Sequence, residues 1–510
     1  IAPEVLNIIP QEFAMQYQMI PYLKIGSNVK VAMTNPGDES AKKFLVDLGG
    51  KIKLAFQPVL VSKSGFLYGY LAYEKKKKEA LERMAEERQE SEESFETQIK
   101  DLATAAAVAR RVTTTQLLDV LIMGAINTKA SDIHLEPTED ILIVRYRIDG
   151  VLQDVVHLPK TQYDSLISRI KYLAHLRMDL ANQPQDGRFS FKTSKEVIDM
   201  RISTMPSSAG ETIVMRLLNQ NQGKISLEDM GFRSEALAVI RAAISRPHGV
   251  ILTSGPTGSG KTSTLYSILS ELNRPERKII TLEDPIEYKI PGIEQSQIDK
   301  EHGYNFAEGL RAALRQDPDI IMVGEIRDDE TAEIAIQAGL TGHLVLSTVH
   351  ANSAPSVFTR LLDIGVKPFL MSGSINLVMA QRLVRKLCPV CAENHTLESD
   401  VWKEVLSVLL PIKEILPSNI AQFLIENPPV LKKPKGCEKC HNSGYSGRLA
   451  VIEVLIPNEA IEALVRQKEG ASEFTKIARS QGMITMEQDG LIKVLQNLTT
   501  IDEVWRTTKE

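Results

Sequence analysis

A glycine-rich segment near the middle of the chain has the residue types and spacing of a phosphate-binding loop. From Gly255 to Thr262 it reads Gly-Pro-Thr-Gly-Ser-Gly-Lys-Thr, a full match to this motif. Its glycines let backbone N–H groups turn inward around phosphate oxygens, its lysine adds positive charge, and its last hydroxyl is a ligand for Mg²⁺. The pattern predicts ATP and Mg²⁺ as ligands. The residues assigned to them are Gly255, Pro256, Thr257, Gly258, Ser259, Gly260, Lys261, Thr262 (also for the metal) and Ser263.

The sequence on either side of this loop has the context that the motif requires. Residues 249–253 are a short apolar run typical of a buried strand. Residues 263–272 have a helical pattern, and the positive N-terminus of such a helix points at the same phosphates. Strands and helices alternate from about residue 247 onward, which predicts a doubly wound parallel sheet.

Two glutamates follow apolar segments further along the chain. Glu283 follows the strand-like residues 278–282, and Glu325 follows the strand-like residues 320–323. Ligands of open parallel sheets lie at the carboxyl ends of the strands, so both carboxylates are expected at the nucleotide. Each is a candidate to hold Mg²⁺ through water or to orient the attacking water. Gly324 stands where such a strand usually carries aspartate, and which glutamate is the principal base stays open.

A third strand-like segment, residues 342–350, carries polar residues at its end. Thr348 and His350 are predicted to reach the γ-phosphate and to report whether it is present.

The four cysteines form two closely spaced pairs. They are Cys388 and Cys391, then Cys437 and Cys440, with 45 residues between the pairs. In a reducing compartment paired Cys-x-x-Cys motifs indicate a metal rather than disulfides. Four thiolates suit tetrahedral Zn²⁺, and a filled ligand shell is structural rather than catalytic.

Composition limits the class of protein. Hydrophobic residues make up 43% and charged residues 25%, as in a soluble globular protein, and the net charge is -5. A protein with this negative net charge lacks the overall excess of basic residues that is typical of nucleic-acid-binding proteins, so nucleic-acid binding is not predicted. No apolar run approaches the roughly 20 residues of a membrane helix, and no signal peptide is found. We expect a cytosolic protein without direct membrane insertion, and the initial Ile1 suggests that natural N-terminal residues precede it.

Composition shifts and turn signals divide the chain into four parts. Residues 1–72 are predicted to form a small α/β module, and residues 73–112 a charged linker or helix. Residues 113–245 are predicted to form an α+β domain, with a hairpin that turns at Asp149-Gly150. Residues 246–510 hold the nucleotide site, the cysteine module at about 386–447 and a C-terminal helical region.

At this point the sequence resembles the secretion ATPases of type II secretion and type IV pilus systems over nearly its whole length. The family's Walker A loop matches residues 255–262, its aspartate box residues 281–287, its Walker B segment residues 314–328 with Gly324 included, and its histidine box residues 341–352. The resemblance implies a multidomain α/β fold: a RecA-like P-loop ATPase domain, a preceding α+β (PAS-like) domain, a partial N-terminal module and a zinc-binding insertion. It also implies a ring-shaped homohexamer.

Further site residues follow from this resemblance. Family members place arginines of the α+β domain against the nucleotide, and the matching positions are Arg201 and Arg216, with Arg188 as a further candidate. The four cysteines match the zinc module of assembly and secretion ATPases, which retraction motors characteristically lack. In the family this module lies near an inner-membrane platform protein. Because the arginine-bearing motif of relatives that bind cyclic di-GMP is not found, we do not predict such binding.

The sequence therefore predicts an ATP-hydrolysing motor for type IV pilus assembly or type II secretion. It would act at the inner membrane through the platform protein and cytoplasmic accessory proteins, and the choice between the two systems stays open. One alternative is a DNA-transport ATPase, which predicts a basic channel and stimulation by nucleic acid. Another is a nucleotide-gated adaptor that binds ATP and barely hydrolyses it.

Overall fold

The computed structural model describes residues 1, 3–70, 98–99, 101–218, 225–424 and 429–509. The chain divides into two compact units, Ile1–Thr97 and Gln98–Glu510, and each is described by itself. Most of the charged stretch predicted as a linker or helix lies outside the described residues.

The first unit is a small three-stranded sheet with helices packed on it. The strand order is β1-β2-β3, with β1 and β2 antiparallel and β2 and β3 parallel. Buried side chains of both helices and strands, among them Ala14, Val31 and Leu45, form its core. Its elements are α1 (Pro3–Leu6), α2 (Gln11–Gln16), β1 (Met19–Ile25), β2 (Asn28–Met33), α3 (Glu39–Ile52), β3 (Ala55–Leu60) and a helical segment at 63–70.

The second unit begins with a six-stranded antiparallel sheet in the order β6-β5-β4-β9-β8-β7. Apolar and polar residues alternate along these strands, so one face is buried under helices and the other carries charged side chains. The predicted hairpin is confirmed, because β5 and β6 pair around Asp149-Gly150. The elements are α4 (Leu102–Ala109), α5 (Thr114–Asn127), β4 (Asp132–Pro137), β5 (Ile141–Ile148), β6 (Val151–Pro159), α6 (Tyr163–Leu173), β7 (Gln185–Lys192), β8 (Val197–Ser207) and β9 (Gly210–Leu218).

A seven-stranded sheet in the order β12-β11-β13-β14-β10-β15-β18 follows, and all its strands are parallel except β18. Its first elements are α7 (Ser234–Ile244), β10 (Gly249–Ser254), α8 (Lys261–Leu272), β11 (Ile279–Glu283), β12 (Glu294–Gln297), α9 (Phe306–Leu314), β13 (Ile320–Val323), α10 (Asp329–Leu340), β14 (Leu344–Val349), α11 (Ser356–Ile364), α12 (Pro368–Met371) and β15 (Ile375–Leu387). The remaining elements are β16 (Glu393–Thr396), α13 (Ser399–Leu409), α14 (Ser418–Ala421), β17 (Val430–Lys433), β18 (Tyr445–Leu455), α15 (Glu459–Gln467), α16 (Ala471–Ser480), α17 (Met486–Leu495) and α18 (Ile501–Thr508). Short 3₁₀ turns lie at Lys160–Gln162, Lys300–His302, Leu410–Ile415, Gln422–Leu424 and Glu438–Cys440.

The central strands of this sheet are buried along their whole length because both faces are covered. On β10, Val250 and Leu252 pack into the core on one face, while Ile251 packs into the core on the other. A strand buried on both sides reads as a continuous apolar run rather than an alternation, which is the pattern seen at residues 249–253. The predicted doubly wound parallel sheet is therefore confirmed, with one antiparallel strand at its edge.

In the part of the chain that the structure describes, no helix combines the length and the apolar character needed to cross a membrane.

Candidate active site

The phosphate-binding loop joins β10 to α8 at the carboxyl edge of the seven-stranded sheet. Gly260 precedes the helix with a φ of 88°, a left-handed conformation that glycine adopts without strain. The Lys261 ammonium donates to the carbonyl oxygens of Gly255 at 2.6 Å and Pro256 at 3.0 Å. Burial lowers the pKa of Lys261, and the nearby charge of Glu325 opposes that shift. The lysine thus lies across the loop where phosphate oxygens would replace the carbonyls.

Glu325 lies just after the end of β13, and its carboxylate is close to the side chains of Arg327 and His350. Its Oε2 atom is 2.7 Å from Nε of Arg327 and 3.4 Å from Nε2 of His350. The Glu325 side chain is 14% exposed, so it is partly shielded from solvent but still accessible to a water molecule. The predicted sensor Thr348 donates its hydroxyl to the carbonyl of Gly324 at 2.8 Å. In this arrangement His350 lies beside the Glu325 carboxylate, and the Thr348 hydroxyl is bonded to the backbone next to it.

Glu283, the other strand-end glutamate, is buried and fully engaged. Its carboxylate accepts hydrogen bonds from the hydroxyl of Tyr266, from the hydroxyl of Thr281 at 2.6 Å and from the amide of Gln295 at 3.1 Å. Burial raises the pKa of Tyr266, and the Glu283 charge adds to that shift, so the phenol keeps its proton and stays a donor. Glu283 therefore joins the helix after the phosphate loop to the end of β11. Glu325 is the more accessible carboxylate for a water molecule.

The candidate arginines form a row across the charged face of the six-stranded sheet. Arg188, Arg201 and Arg216 occupy directly paired positions on β7, β8 and β9. The row continues through Asp132 on β4 to Arg147 on β5. Asp132 is 3% exposed and accepts from Nε of Arg216 at 2.9 Å, while its other oxygen lies 3.4 Å from Nε of Arg147. Residues opposite one another in antiparallel strands share a face, so the sheet presents these charges together.

The arginines differ in what they contact. Arg216 lines the cavity above the phosphate loop. Arg201 donates to the carbonyl of Ile286 at 2.5 Å and lies 3.4 Å from the Glu287 carboxylate, in the loop that follows Glu283. Arg188 is exposed at the outer end of the row. The structure thus brings Arg216 to the cavity above the phosphate loop and Arg201 to the loop that follows Glu283.

One cavity of about 760 Å³ brings these groups together. Its walls include the phosphate loop, Glu283, Glu325 and His350 from the seven-stranded sheet, and Arg216 from the six-stranded sheet. Thr262 lines this cavity and is exposed, so its hydroxyl is accessible to a metal ion. Backbone donors, cations and carboxylates therefore meet in a volume suited to a nucleotide.

The four cysteines also come together, although 45 residues separate the pairs in sequence. Cys388 Sγ is 3.9 Å from Cys437 Sγ, and Cys440 Sγ is 3.7 Å from both Cys391 Sγ and Cys437 Sγ. Four sulfurs at about 2.3 Å from a tetrahedral Zn²⁺ lie about 3.8 Å from one another, so the donor set fits that ion. A disulfide needs about 2.05 Å, and the four thiols are free.

Several residues that shape the site were not predicted. Arg327 lies within the segment that matches the family's Walker B motif but is not itself a predicted site residue, and the sequence assigns no role to Asp132, Tyr266 or Gln295. The roles of the last three depend on contacts between separate segments, such as that between Asp132 and Arg216, which are 84 positions apart. The one local signal for Asp132 is an acidic residue at the first position of a strand-like segment.

Two family models match this chain. The family model described as "Type II/IV secretion system protein" matches residues 109–506, and the model described as "MshEN domain" matches residues 1–68.

Two relatives illustrate the range of similar proteins. The type II secretion system protein E of Pseudomonas aeruginosa is 44% identical over 397 residues, which are 78% of this chain and 75% of that protein. The type IV pilus assembly ATPase PilB of Myxococcus xanthus is 38% identical over 506 residues, which are 99% of this chain and 86% of that protein.

Solved structures are similar at the level of the fold. The ATPase DotB of Legionella pneumophila has a TM-score of 0.55 at 22% identity, covering 77% of this chain and 95% of its own. The ATPase DotB of Yersinia pseudotuberculosis has a TM-score of 0.56 at 20% identity, covering 78% and 95%.

Proposed function

The chain belongs to the type II/IV secretion system protein family, and from this membership we propose that it is an ATP-hydrolysing motor for type IV pilus assembly or type II secretion. The observation that carries the proposal is the single cavity in which the phosphate loop, Glu325 and Arg216 meet. A phosphate loop alone binds nucleotide, whereas hydrolysis also needs a group that orients water and a cation that stabilises the transferring phosphoryl group.

In the proposed reaction the phosphates of ATP lie in the loop, with the Lys261 ammonium moved from the Gly255 carbonyl onto the β- and γ-phosphates. Mg²⁺, held through Thr262, would neutralise phosphate charge. Glu325 orients a water and accepts its proton as the water oxygen bonds to the γ-phosphorus. The bond from the bridging oxygen to the γ-phosphorus breaks, and ADP leaves with that electron pair. Arg327 and His350 hold the Glu325 carboxylate toward the water during the reaction.

The arginines of the six-stranded sheet would close the site. Arg216 already lines the cavity, and its guanidinium is held by Asp132 at 2.9 Å. Arg201 contacts the loop after Glu283, so a small rotation of its domain would carry it between that loop and the phosphates. Rotation of this domain, which we propose is PAS-like, against the RecA-like domain would convert hydrolysis into movement.

The partners of this motor are proposed from the family. We propose a homohexamer that acts peripherally at an inner membrane through a platform protein and accessory proteins, with a structural Zn²⁺ held by the four cysteines. The names of the relatives concern secretion and pilus assembly, which does not favour the DNA-transport alternative.

The direct test is phosphate release measured against protein concentration, with Mg²⁺ and with the metal chelated. We expect turnover per chain to rise as rings assemble and to vanish without Mg²⁺. The Lys261→Ala variant should lose ATP binding as well as turnover, because it removes the positive charge on the phosphates. ATP that binds to the wild type without turnover at any concentration would refute the motor and support the adaptor.

Removal of Arg216 should impair chemistry rather than folding. We expect Arg216→Ala to lower the rate of hydrolysis about 100-fold, because a cation aimed at developing phosphoryl charge is lost. Arg177→Ala is the matched control, since Arg177 is exposed in the same domain and pairs only locally with Asp179. Steady-state phosphate release measures both variants. An Arg216→Ala rate within threefold of the control would contradict a role at the phosphates.

A further inference from the structure

Gln381 is a polar side chain that directly follows the apolar residues 377–380 of β15, and it is 1% exposed. β15 runs beside β10, the strand that leads into the phosphate loop. A buried amide must find hydrogen-bond partners or destabilise the fold, so its partners reveal what it does.

Both ends of the Gln381 amide are bonded to the phosphate-loop region. Its Nε2 atom donates to the carbonyl oxygen of Ser259 at 2.8 Å. Its Oε1 atom accepts from the hydroxyl of Thr264 at 2.8 Å, on the first turn of α8. Since a carbonyl can only accept, the Ser259 contact fixes which end of the amide is nitrogen.

Gln381 also touches both outer glycines of the loop. A Cβ atom on Gly255 would lie 2.5 Å from the backbone carbonyl oxygen of Gln381. A Cβ atom on Gly260 would lie 2.9 Å from the side-chain Nε2 atom of Gln381. Gln381 thus packs directly against the loop. A larger residue at Gly255 or Gly260 would clash with it.

The Ser259 contact determines where the next N–H points. In a trans peptide the C=O and the N–H point in opposite directions. The carbonyl of Ser259 is held outward by Gln381, so the N–H of Gly260 in the same peptide unit faces the other way, into the concave side of the loop. Backbone N–H groups on that side are the ones that cradle phosphates.

From this geometry we infer that Gln381 is a positioning residue for the nucleotide, which aims the Gly260 N–H at the phosphate beyond the α-phosphate. The inference rests on the proposed function, because it requires ATP in the loop. It predicts a loss that depends on the number of phosphates. A merely structural role would weaken all nucleotides alike or lower the amount of folded protein.

The test measures dissociation constants of ATP, ADP and AMP by calorimetry, with AMP also measured by displacement. In Gln381→Met the amide is replaced by an apolar side chain of similar size. We expect its ATP and ADP dissociation constants to rise about tenfold, the scale of one hydrogen bond to a charged group, with AMP unchanged within twofold. Thr264→Val is the matched control, because it leaves the donor to Ser259 in place, and we expect changes within twofold.

Each outcome decides the inference. Equal weakening of all three nucleotides, or no weakening of ATP, would overturn it. If Gln381→Met fails to fold, Gln381→Asn serves instead, since it keeps an uncharged amide and withdraws the N–H donor from Ser259 by the length of one methylene group, and the same selective loss is expected. A wild type that binds no ATP would refute the proposed function itself. A wild type that hydrolyses ATP beside an unimpaired Gln381→Met would refute this inference alone.

Discussion

Replacement of Glu325 by glutamine is expected to lower the rate of ATP hydrolysis about 1,000-fold while ATP still binds, because general-base catalysis contributes roughly 100- to 10,000-fold. The amide keeps the size of the side chain but cannot take a proton from water. Of the two strand-end glutamates, Glu325 is the one with an oxygen beside His350 and Arg327 rather than three buried donors. Single-turnover hydrolysis and a separate ATP-binding measurement distinguish the two effects.

The control for this variant is Glu330→Gln, which changes an exposed glutamate five residues further on that pairs with Arg311. It should hydrolyse ATP at the wild-type rate. Glu283→Gln should behave differently from both, because an amide at that position places an N–H against the hydroxyl and amide donors around it and lowers stability. A Glu325→Gln rate within tenfold of wild type, with Glu283→Gln folded and inactive, would assign the base to Glu283.

Loss of one cysteine ligand is expected to have the largest effect on stability. We expect one Zn²⁺ per wild-type chain by elemental analysis and almost none in Cys437→Ser. A ligand present at about 1,000 times its dissociation constant contributes about 4 kcal/mol to folding. The unfolding transition of the domain that holds the cysteines should therefore fall by roughly 10 °C.

The matched control for the zinc prediction is Val390→Ser. Val390 lies between Cys388 and Cys391 and is 60% exposed, so its serine variant alters the same loop without removing a ligand. Its zinc content and unfolding temperature should equal those of the wild type. Wild-type protein that is free of zinc and carries disulfides instead would contradict the proposed ion.

The local motifs could be read from the sequence, and the contacts between them could not. The phosphate loop was predictable because its function depends on eight consecutive residues and on backbone N–H groups. The state of Glu283 was not, since its three donors come from α8, β11 and β12. Sequence reasoning placed Glu283 and Glu325 on equal terms, and only their surroundings separate them.

The arginines show the same limit in another form. The resemblance selected Arg201 and Arg216, but it did not show that Asp132 lies between Arg216 and Arg147. Such a pairing follows from strand register, which is determined by the whole sheet rather than by any short segment. Gln381 is an intermediate case, because an amide that follows four apolar residues of β15 is visible in the sequence, whereas the groups that it bonds are not.

The arginine row also has a consequence for how this protein tolerates insertions. Arg201 alternates on β8 with Met200 and Ile202, which are 0% and 1% exposed. A slip of β8 by one residue would turn the guanidinium into the apolar core and the two apolar side chains into solvent. A slip by two would keep the core intact but carry Arg201 about 7 Å along the strand, away from Arg216 and from the Ile286 carbonyl. Insertions of odd length in β8 would thus remove folding and activity together, whereas insertions of even length would leave a folded protein with a misaligned site.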